Sequence, residues 1–123
     1  MFNNKSILIT GGTGSFGQSF TDYIVKNYKP KKLIIFSRDE FKQYTMSEKY
    51  PVKKYKFLRF FIGDVRDKDR LKMATKNLDY IVHTAALKQV NTAEYNPQEF
   101  IQTNIQGAQN VIEAALQNNV KKI

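Results

Sequence analysis

The chain has 123 residues, of which 41% are hydrophobic and 25% are charged, a composition typical of a folded globular domain. It contains no cysteine and one histidine, which excludes disulfides, cysteine nucleophiles and metal sites built from thiolates or from several histidines. The net charge is +9, and residues 1–61 hold most of it, with 12 basic and 4 acidic side chains.

Four short apolar runs recur along the chain and predict strands. They are rich in β-branched and aromatic residues and are almost continuous, as in parallel strands that are buried on both faces. The runs are residues 6–10, 32–36, 58–62 and 78–83. Helix-length segments lie at about 16–28, 39–49, 66–76 and 96–118.

This alternation of strands and helices predicts βαβ units and therefore an α/β fold with a doubly wound parallel sheet. Because crossovers are right-handed, the expected topology is the first half of a Rossmann-type domain, in the order βαβαβαβα. Residues 118–123 have the pattern of a helix end followed by the start of a fifth strand. We therefore expect residues 1–123 to be a dinucleotide-binding half-domain, with the catalytic and substrate-binding remainder outside this chain.

A glycine-rich turn connects the first predicted strand to the first predicted helix. Its spacing is Gly11-x-x-Gly14-x-x-Gly17, at the βα junction where a dinucleotide pyrophosphate docks on a helix N-terminus. Gly11 would allow the tight turn, Gly14 the approach of the phosphates, and Gly17 the packing of the helix on the sheet. Thr13 and Ser15 can add hydroxyl donors to phosphate oxygens.

Two other interpretations of this turn are open. The spacing Gly12-x-x-x-x-Gly17-Gln18-Ser19 is that of a nucleoside-triphosphate loop, but Gln18 stands where such a loop needs lysine for the β- and γ-phosphates. A glycine turn that binds no ligand is the structural alternative.

The end of the second predicted strand bears on which cofactor is bound. An acidic residue about 20 positions after the glycine turn would bind the ribose 2′-hydroxyl of NAD, but Ser37 and Arg38 stand there instead. A hydroxyl and a guanidinium suit a 2′-phosphate. We therefore predict NADP as the cofactor. The alternative is that Arg38 only pairs with Asp39 or Glu40 in solvent.

The third and fourth strand ends add further candidates. Asp64 can accept a hydrogen bond from the adenine amino group, with Val65 supplying its amide, although Asp64 can equally cap the next helix. The small residues of the segment 84–86 leave room for the nicotinamide ribose at the topological switch point. We expect Lys88 to face the crevice for a diphosphate-bearing substrate, unless it is only solvated. We interpret His83 as a packed strand-end residue.

With these residues assembled, the chain resembles the extended short-chain dehydrogenases/reductases. More narrowly, it is similar to the inverting UDP-N-acetylglucosamine 4,6-dehydratases of pseudaminic acid and surface-glycan synthesis. The similarity covers essentially the whole chain, and its motifs lie in residues 10–17, 37–43, 60–67, 85–90, 93–97 and 103–108. The glycine turn is common to the superfamily, whereas residues 37–40 and 86–88 are more specific.

The resemblance implies a lyase with an internal redox cycle that acts on a UDP-linked amino sugar. NADP takes a hydride from C4, water is eliminated across C5 and C6, the hydride returns to C6, and C5 is inverted. Lys88 would contact the nucleotide-sugar, and the parent protein would be a homo-oligomer. Together, the patterns and the resemblance predict these cofactor-binding residues: Gly11, Thr13, Gly14, Ser15, Phe16, Gly17, Ser37, Arg38, Asp39, Glu40, Lys42, Asp64, Val65, Thr84, Ala85, Ala86 and Asn104.

The catalytic Tyr-x-x-x-Lys motif of this family lies beyond the next strand, and this chain has no such motif at the corresponding place. Tyr50 has Lys54 four residues later, but this pair precedes the third strand, which is the wrong place. We therefore predict no catalytic residue among these 123 residues and no activity from them alone. Gln89 and the pair 91–92 depart from the family pattern, at positions that would line the substrate side.

Two alternative functions stay open. A nucleotide-sugar epimerase of the same superfamily would use the same half-domain. A regulatory or nucleic-acid-binding Rossmann module is suggested by the charge of +9. However, Phe57 in the basic run leads into the third strand and should be buried rather than stack on bases. We expect no nucleic-acid partner.

The sequence also bears on location. No apolar run approaches the roughly 18–20 residues that cross a bilayer. The first residues lead into a strand without a signal-peptide pattern. We therefore predict a cytoplasmic protein with no membrane partner.

Overall fold

The computed structural model describes residues 2–84, 108–118 and 120. In these residues strands and helices alternate as predicted. The elements are β1 (Ser6–Thr10), α1 (Ser15–Asn27), β2 (Lys32–Ser37), α2 (Glu40–Lys49), β3 (Leu58–Ile62), α3 (Lys68–Ala74) and β4 (Tyr80–His83). Residues 108–117 are helical as well. The start of the last predicted helix lies outside the described residues.

The four strands form one parallel sheet in the order β3-β2-β1-β4. β1 is central, and Thr10 at its end lies opposite Phe36 of β2 and His83 of β4. The chain moves outward from β1 through β2 to β3 and then returns to the other side of β1. The predicted Rossmann-type arrangement is thereby confirmed, with a topological switch point between β1 and β4.

Both faces of the sheet are covered, which explains why the strands are continuously apolar. Successive side chains of a strand point to opposite faces, so Ile7 and Ile9 pack on one side and Leu8 on the other. The first core, which includes residues of α1 and α2, is Ile7, Ile9, Ile24, Leu33, Ile35, Met46, Tyr50 and Leu58. The second core, which includes residues of α3 and the helical segment 108–117, is Leu8, Ile34, Phe36, Leu71, Ala74, Leu78, Ile81, Val111, Ala114 and Ala115.

Two aspartates determine where α2 and α3 begin. Asp39 accepts a hydrogen bond from the Lys42 amide and Asp67 accepts one from the Arg70 amide, so each caps its helix. The alternative in which Asp64 caps the third helix is therefore wrong. Because the cap is Asp67, α3 also begins later than predicted.

None of the helices in the described part of the chain combines the length and the apolar character that a bilayer span requires.

Candidate cofactor site

Three glycines of the turn after β1 are required by the fold itself. Gly11 has φ 63°, in the left-handed region that favours glycine. A Cβ at Gly17 would lie 2.4 Å from the carbonyl oxygen of Gly12, so the start of α1 packs directly on the turn. A Cβ at Gly12 would lie 2.6 Å from Cγ2 of Ile35. The packing role of Gly12 was not anticipated from the sequence, because its neighbour lies on β2.

Gly14 differs from these three. Its backbone is extended, with φ −74° and ψ 177°, which any residue can adopt. A Cβ there would meet only the carbonyl oxygen of Gly11, at 3.3 Å. In the described residues the conformation does not demand a glycine at this position, and the packing asks the Gly11 carbonyl to give by only a few tenths of an ångström. The close approach of a ligand to the backbone would supply the missing reason, and a pyrophosphate fits it.

The first turn of α1 is suited to an anion. Gly14 is the N-cap and makes no side-chain capping bond, and the first turn contains no acidic residue. The first amides of such a helix, with the positive end of its dipole, favour a negative charge in front of them. This arrangement fits a phosphate at the glycine turn.

Gln18 holds the glycine turn in shape. Its Nε2 donates to the carbonyl oxygen of Thr13 at 2.8 Å. The turn is also tied to β2, because the Gly12 amide donates to the carbonyl oxygen of Phe36 at 3.2 Å. The residue that replaces the lysine of a nucleoside-triphosphate loop therefore has a structural task in this turn.

A cavity of about 720 Å³ lies between the glycine turn and α2. It brings together four predicted cofactor residues, namely Thr13, Gly14, Ser15 and Lys42. The rest of its lining comes from the two helices: Gln18, Ser19, Asp22, Phe41, Thr45, Met46 and Lys49. The turn and the start of α2 thus share one open space.

Arg38 reaches across to the end of β3. Its Nη1 lies 3.9 Å from Oδ2 of Asp64, while the Arg38 side chain stays about half exposed. The interpretation in which Arg38 pairs with Asp39 or Glu40 is therefore wrong: Asp39 caps α2, and the long contact of Arg38 is with Asp64. Among the described residues this half-exposed guanidinium has one distant carboxylate partner, so it remains available to an anionic ligand.

Asp64 is occupied mainly by Arg66. Nη2 of Arg66 donates to Oδ2 at 2.6 Å, and the Arg66 amide donates to Oδ1 at 2.9 Å. These hydrogen bonds, with the charges of Arg66 and Arg38, lower the pKa of Asp64 despite its partial burial. The carboxylate is therefore ionised at neutral pH and remains an acceptor. Sequence reasoning missed Arg66, although its spacing of two residues from Asp64 is a local signal.

The ends of β1 and β4 are joined by a cluster of polar side chains. The buried Thr10 Oγ1 lies 2.7 Å from His83 Nδ1 and accepts the Thr84 amide at 2.9 Å. The Thr84 hydroxyl donates to the Thr10 carbonyl oxygen. Burial lowers the pKa of His83, so the imidazole is neutral at pH 7. His83 is thus a packed strand-end residue, and the Thr84 oxygen keeps acceptor capacity at the switch point.

Tyr50 lies at the end of α2, where it packs in the first core. It caps the C-terminus of α2, and only 3% of its surface is exposed. Its hydroxyl donates to Oδ1 of Asp22 at 3.0 Å. Burial, together with this bond, raises the pKa of Tyr50 to about 12. Tyr50 is therefore a packed core residue at the end of α2.

Some of the other predicted site residues lie in the described part of the chain, and some lie outside it. Phe16 is exposed and stacks on Phe20, and Glu40 is the exposed first residue of α2. Val65 packs against the second core, and its carbonyl oxygen accepts from Asn110 at 2.8 Å. Four predicted residues lie outside the described part of the chain: Ala85, Ala86, Lys88 and Asn104.

Comparison with known proteins decides the family. Residues 7–123 match the family described as polysaccharide biosynthesis protein. The chain belongs to this family.

Among curated relatives, the inverting UDP-N-acetylglucosamine 4,6-dehydratase of Campylobacter jejuni (strain 81-176) is 57% identical over 122 residues. The alignment covers 99% of this chain and 36% of the relative. UDP-glucose 4-epimerase of Rickettsia bellii (strain OSU 85-389) is 48% identical over 126 residues, covering 100% of this chain and 36% of that one. The chain thus spans about a third of the length of the relatives it matches.

Solved structures confirm the fold. The X-ray structure of Pen from Bacillus thuringiensis superposes with a TM-score of 0.89 at 43% identity, covering 98% of this chain and 36% of that one. DesIV, a dTDP-glucose 4,6-dehydratase from Streptomyces venezuelae determined with NAD bound, gives a TM-score of 0.79 at 28% identity, with coverage of 93% and 36%. The resemblance to inverting 4,6-dehydratases is confirmed by the sequence relatives, and the Rossmann-type fold by these structures.

Proposed function

We propose that this chain is the NADP-binding part of an inverting UDP-N-acetylglucosamine 4,6-dehydratase. The observation that supports this reaction is the 57% identity to such an enzyme over 99% of the chain. The proposal includes a cytoplasmic, homo-oligomeric protein of pseudaminic acid or surface-glycan synthesis that acts on a UDP-linked amino sugar. It includes neither nucleic acid nor a membrane as a partner.

The cofactor part of the proposal is supported by the geometry of the strand ends. The open backbone at Gly14 and the uncapped start of α1 would hold the pyrophosphate. Ser37 and the half-exposed Arg38 would hold the 2′-phosphate. When bound, NADP supplies the acceptor and donor of a hydride, so that oxidation at C4 of the sugar and reduction at C6 balance. The Thr84 oxygen, as an acceptor, would orient a ribose hydroxyl.

The reaction can be tested on the full-length protein without added reductant. Incubation with UDP-N-acetylglucosamine in heavy water is expected to give a 4-keto, 6-deoxy product in which C5 is inverted. NMR follows the formation of this product. Because the C5 proton is lost and replaced from solvent while the hydride passes from C4 to C6, deuterium should enter at C5 and not at C6. A 4-epimer without deuterium at carbon would contradict the dehydratase.

The second candidate is a nucleotide-sugar 4-epimerase. The observation that favours it is the 48% identity to the Rickettsia bellii UDP-glucose 4-epimerase over the whole chain. Because an epimerase returns the hydride to C4, it loses no water and keeps the C6 oxygen. The same NMR experiment, repeated with UDP-glucose, therefore separates the two functions.

Replacement of Arg38 by alanine tests the cofactor. We expect the variant to lose roughly 1.5–3 kcal/mol of the free energy of NADP binding, because hydrogen bonds to a charged group contribute about this much. Its affinity for NAD should stay almost the same. Calorimetry with both cofactors measures this difference. Arg59→Ala is the matched control, because this exposed arginine donates to the Lys56 and Leu58 carbonyl oxygens near the other end of β3. Equal affinities for NADP and NAD in the unmutated protein would contradict the prediction.

A further inference from the structure

Gln43 is a buried amide directly behind the predicted 2′-phosphate site. It lies on α2 with only 4% of its surface exposed. Its Nε2 lies 2.9 Å from the Ser37 hydroxyl oxygen, 3.2 Å from the Ser37 carbonyl oxygen and 3.0 Å from the Phe61 carbonyl oxygen. One side chain thus connects the end of β2 with β3.

The orientation of this amide follows from its partners. Two of the three are backbone carbonyl oxygens, which only accept, so the nitrogen rather than the oxygen of Gln43 must face them. The nitrogen carries two hydrogens for three acceptors. Since Phe61 takes one, the two oxygens of Ser37 share the other.

This arrangement determines the hydrogen-bonding role of Ser37. Its hydroxyl oxygen accepts from Gln43, so the hydroxyl hydrogen must point in another direction. Within residues 2–84, 108–118 and 120, no acceptor for that hydrogen is found. Ser37 is therefore a hydroxyl held as a donor, next to the half-exposed guanidinium of Arg38.

We propose that Gln43 is a positioning residue that sets the preference for NADP, because it holds the Ser37 hydroxyl as a donor toward the ribose 2′-phosphate. Phosphate oxygens accept charge-assisted hydrogen bonds, which are about twice as strong as neutral ones. The 2′-hydroxyl of NAD gains less from a fixed donor, since it is neutral and can itself donate or accept. The inference rests on the proposed function, in that NADP is the cofactor of this site.

A purely structural role for Gln43 makes a different prediction. If the amide only connects β2 to β3, its loss lowers the stability of the protein and weakens the binding of both cofactors by similar factors. If it positions Ser37, its loss acts mainly on NADP. The ratio of the two dissociation constants therefore separates the roles, whatever happens to stability.

The test is Gln43→Met in the full-length protein, since methionine has a similar length and cannot donate. We expect the Kd for NADP to rise about tenfold, as for one lost hydrogen bond to a charged group, and the Kd for NAD to change less than about twofold. In a Ser37→Ala background the same substitution should leave the ratio unchanged, as a double-mutant cycle requires for coupled residues.

Gln18→Met is the matched control. Gln18 donates to Thr13 in the glycine turn, which both cofactors would contact, so this variant should weaken NADP and NAD by the same factor. A proportional loss of both cofactors in Gln43→Met would overturn the inference. If Gln43→Met does not fold, Ser37→Ala with Gln43 intact should still weaken NADP selectively, and equal binding would overturn it.

The two proposals fail in distinguishable ways. If the unmutated protein binds NAD as tightly as NADP, the proposed cofactor is wrong. If it prefers NADP and the variants of Gln43 and Ser37 keep the same preference, only the role of Gln43 is wrong.

Discussion

Replacement of Gly14 by valine is expected to abolish cofactor binding while the fold remains intact. The backbone at Gly14 suits any residue, and a Cβ there meets only the Gly11 carbonyl oxygen at 3.3 Å. The Cβ therefore asks the Gly11 carbonyl to shift by only a few tenths of an ångström and meets no atom of the core. Its methyl groups would occupy the space in front of the turn, where we propose that the pyrophosphate lies.

Calorimetry with NADP, together with thermal melting of the same variant, measures the two halves of this expectation. Gly14→Ala is a graded control: its single methyl group should weaken binding less than valine does. Asn27→Ala, at the exposed far end of α1 and outside the lining of the cavity, should leave NADP binding unchanged. Binding by Gly14→Val within a few-fold of the parent would mean that the glycine turn does not hold the phosphates.

Gly17→Ala is expected to have the opposite profile, with a large loss of stability. In an ordinary helix interior this change stabilises by up to about 1 kcal/mol, because alanine has the higher helix propensity. At Gly17 the added Cβ would lie 2.4 Å from the Gly12 carbonyl oxygen and 2.5 Å from its carbon. These are backbone atoms that no rotamer change can move. We therefore expect a net destabilisation of about 3 kcal/mol, at the upper end of overpacking costs.

Chemical denaturation of the full-length variant measures this loss as a lower midpoint. Ser19→Ala is the matched control for stability, since it makes an alanine two residues later on the exposed side of the same helix and should change stability by less than about 0.5 kcal/mol. An unchanged or raised midpoint for Gly17→Ala would show that α1 does not depend on this contact.

The fold could be predicted because its signals are local. Each strand is an apolar run and each helix follows within a few residues, so the order of elements and the parallel sheet need no knowledge of distant contacts. The predicted start of α3 was wrong, because a capping residue determines where this helix begins. Asp64 and Asp67 are both plausible caps by residue type, and only the backbone shows that Asp67 accepts the Arg70 amide.

The candidate site was only partly open to prediction. The spacing of the glycines indicated a dinucleotide turn, but it could not tell that Gly14 alone among Gly11, Gly12, Gly14 and Gly17 lacks a structural reason to be glycine. That difference depends on which atoms would surround a Cβ added at each glycine. The distinction is what makes Gly14 the best position to test ligand binding separately from folding.

The sequence by itself determined the α/β class, the glycine turn at the first βα junction and the family resemblance, because these depend on residues near one another in the chain. Only the tertiary structure decided that Arg38 contacts Asp64 and that Gln43 joins Ser37 to Phe61. These partners come from different strands and helices. They meet because the parallel register brings the carboxyl ends of β2 and β3 together beside α2, a juxtaposition that no local pattern encodes.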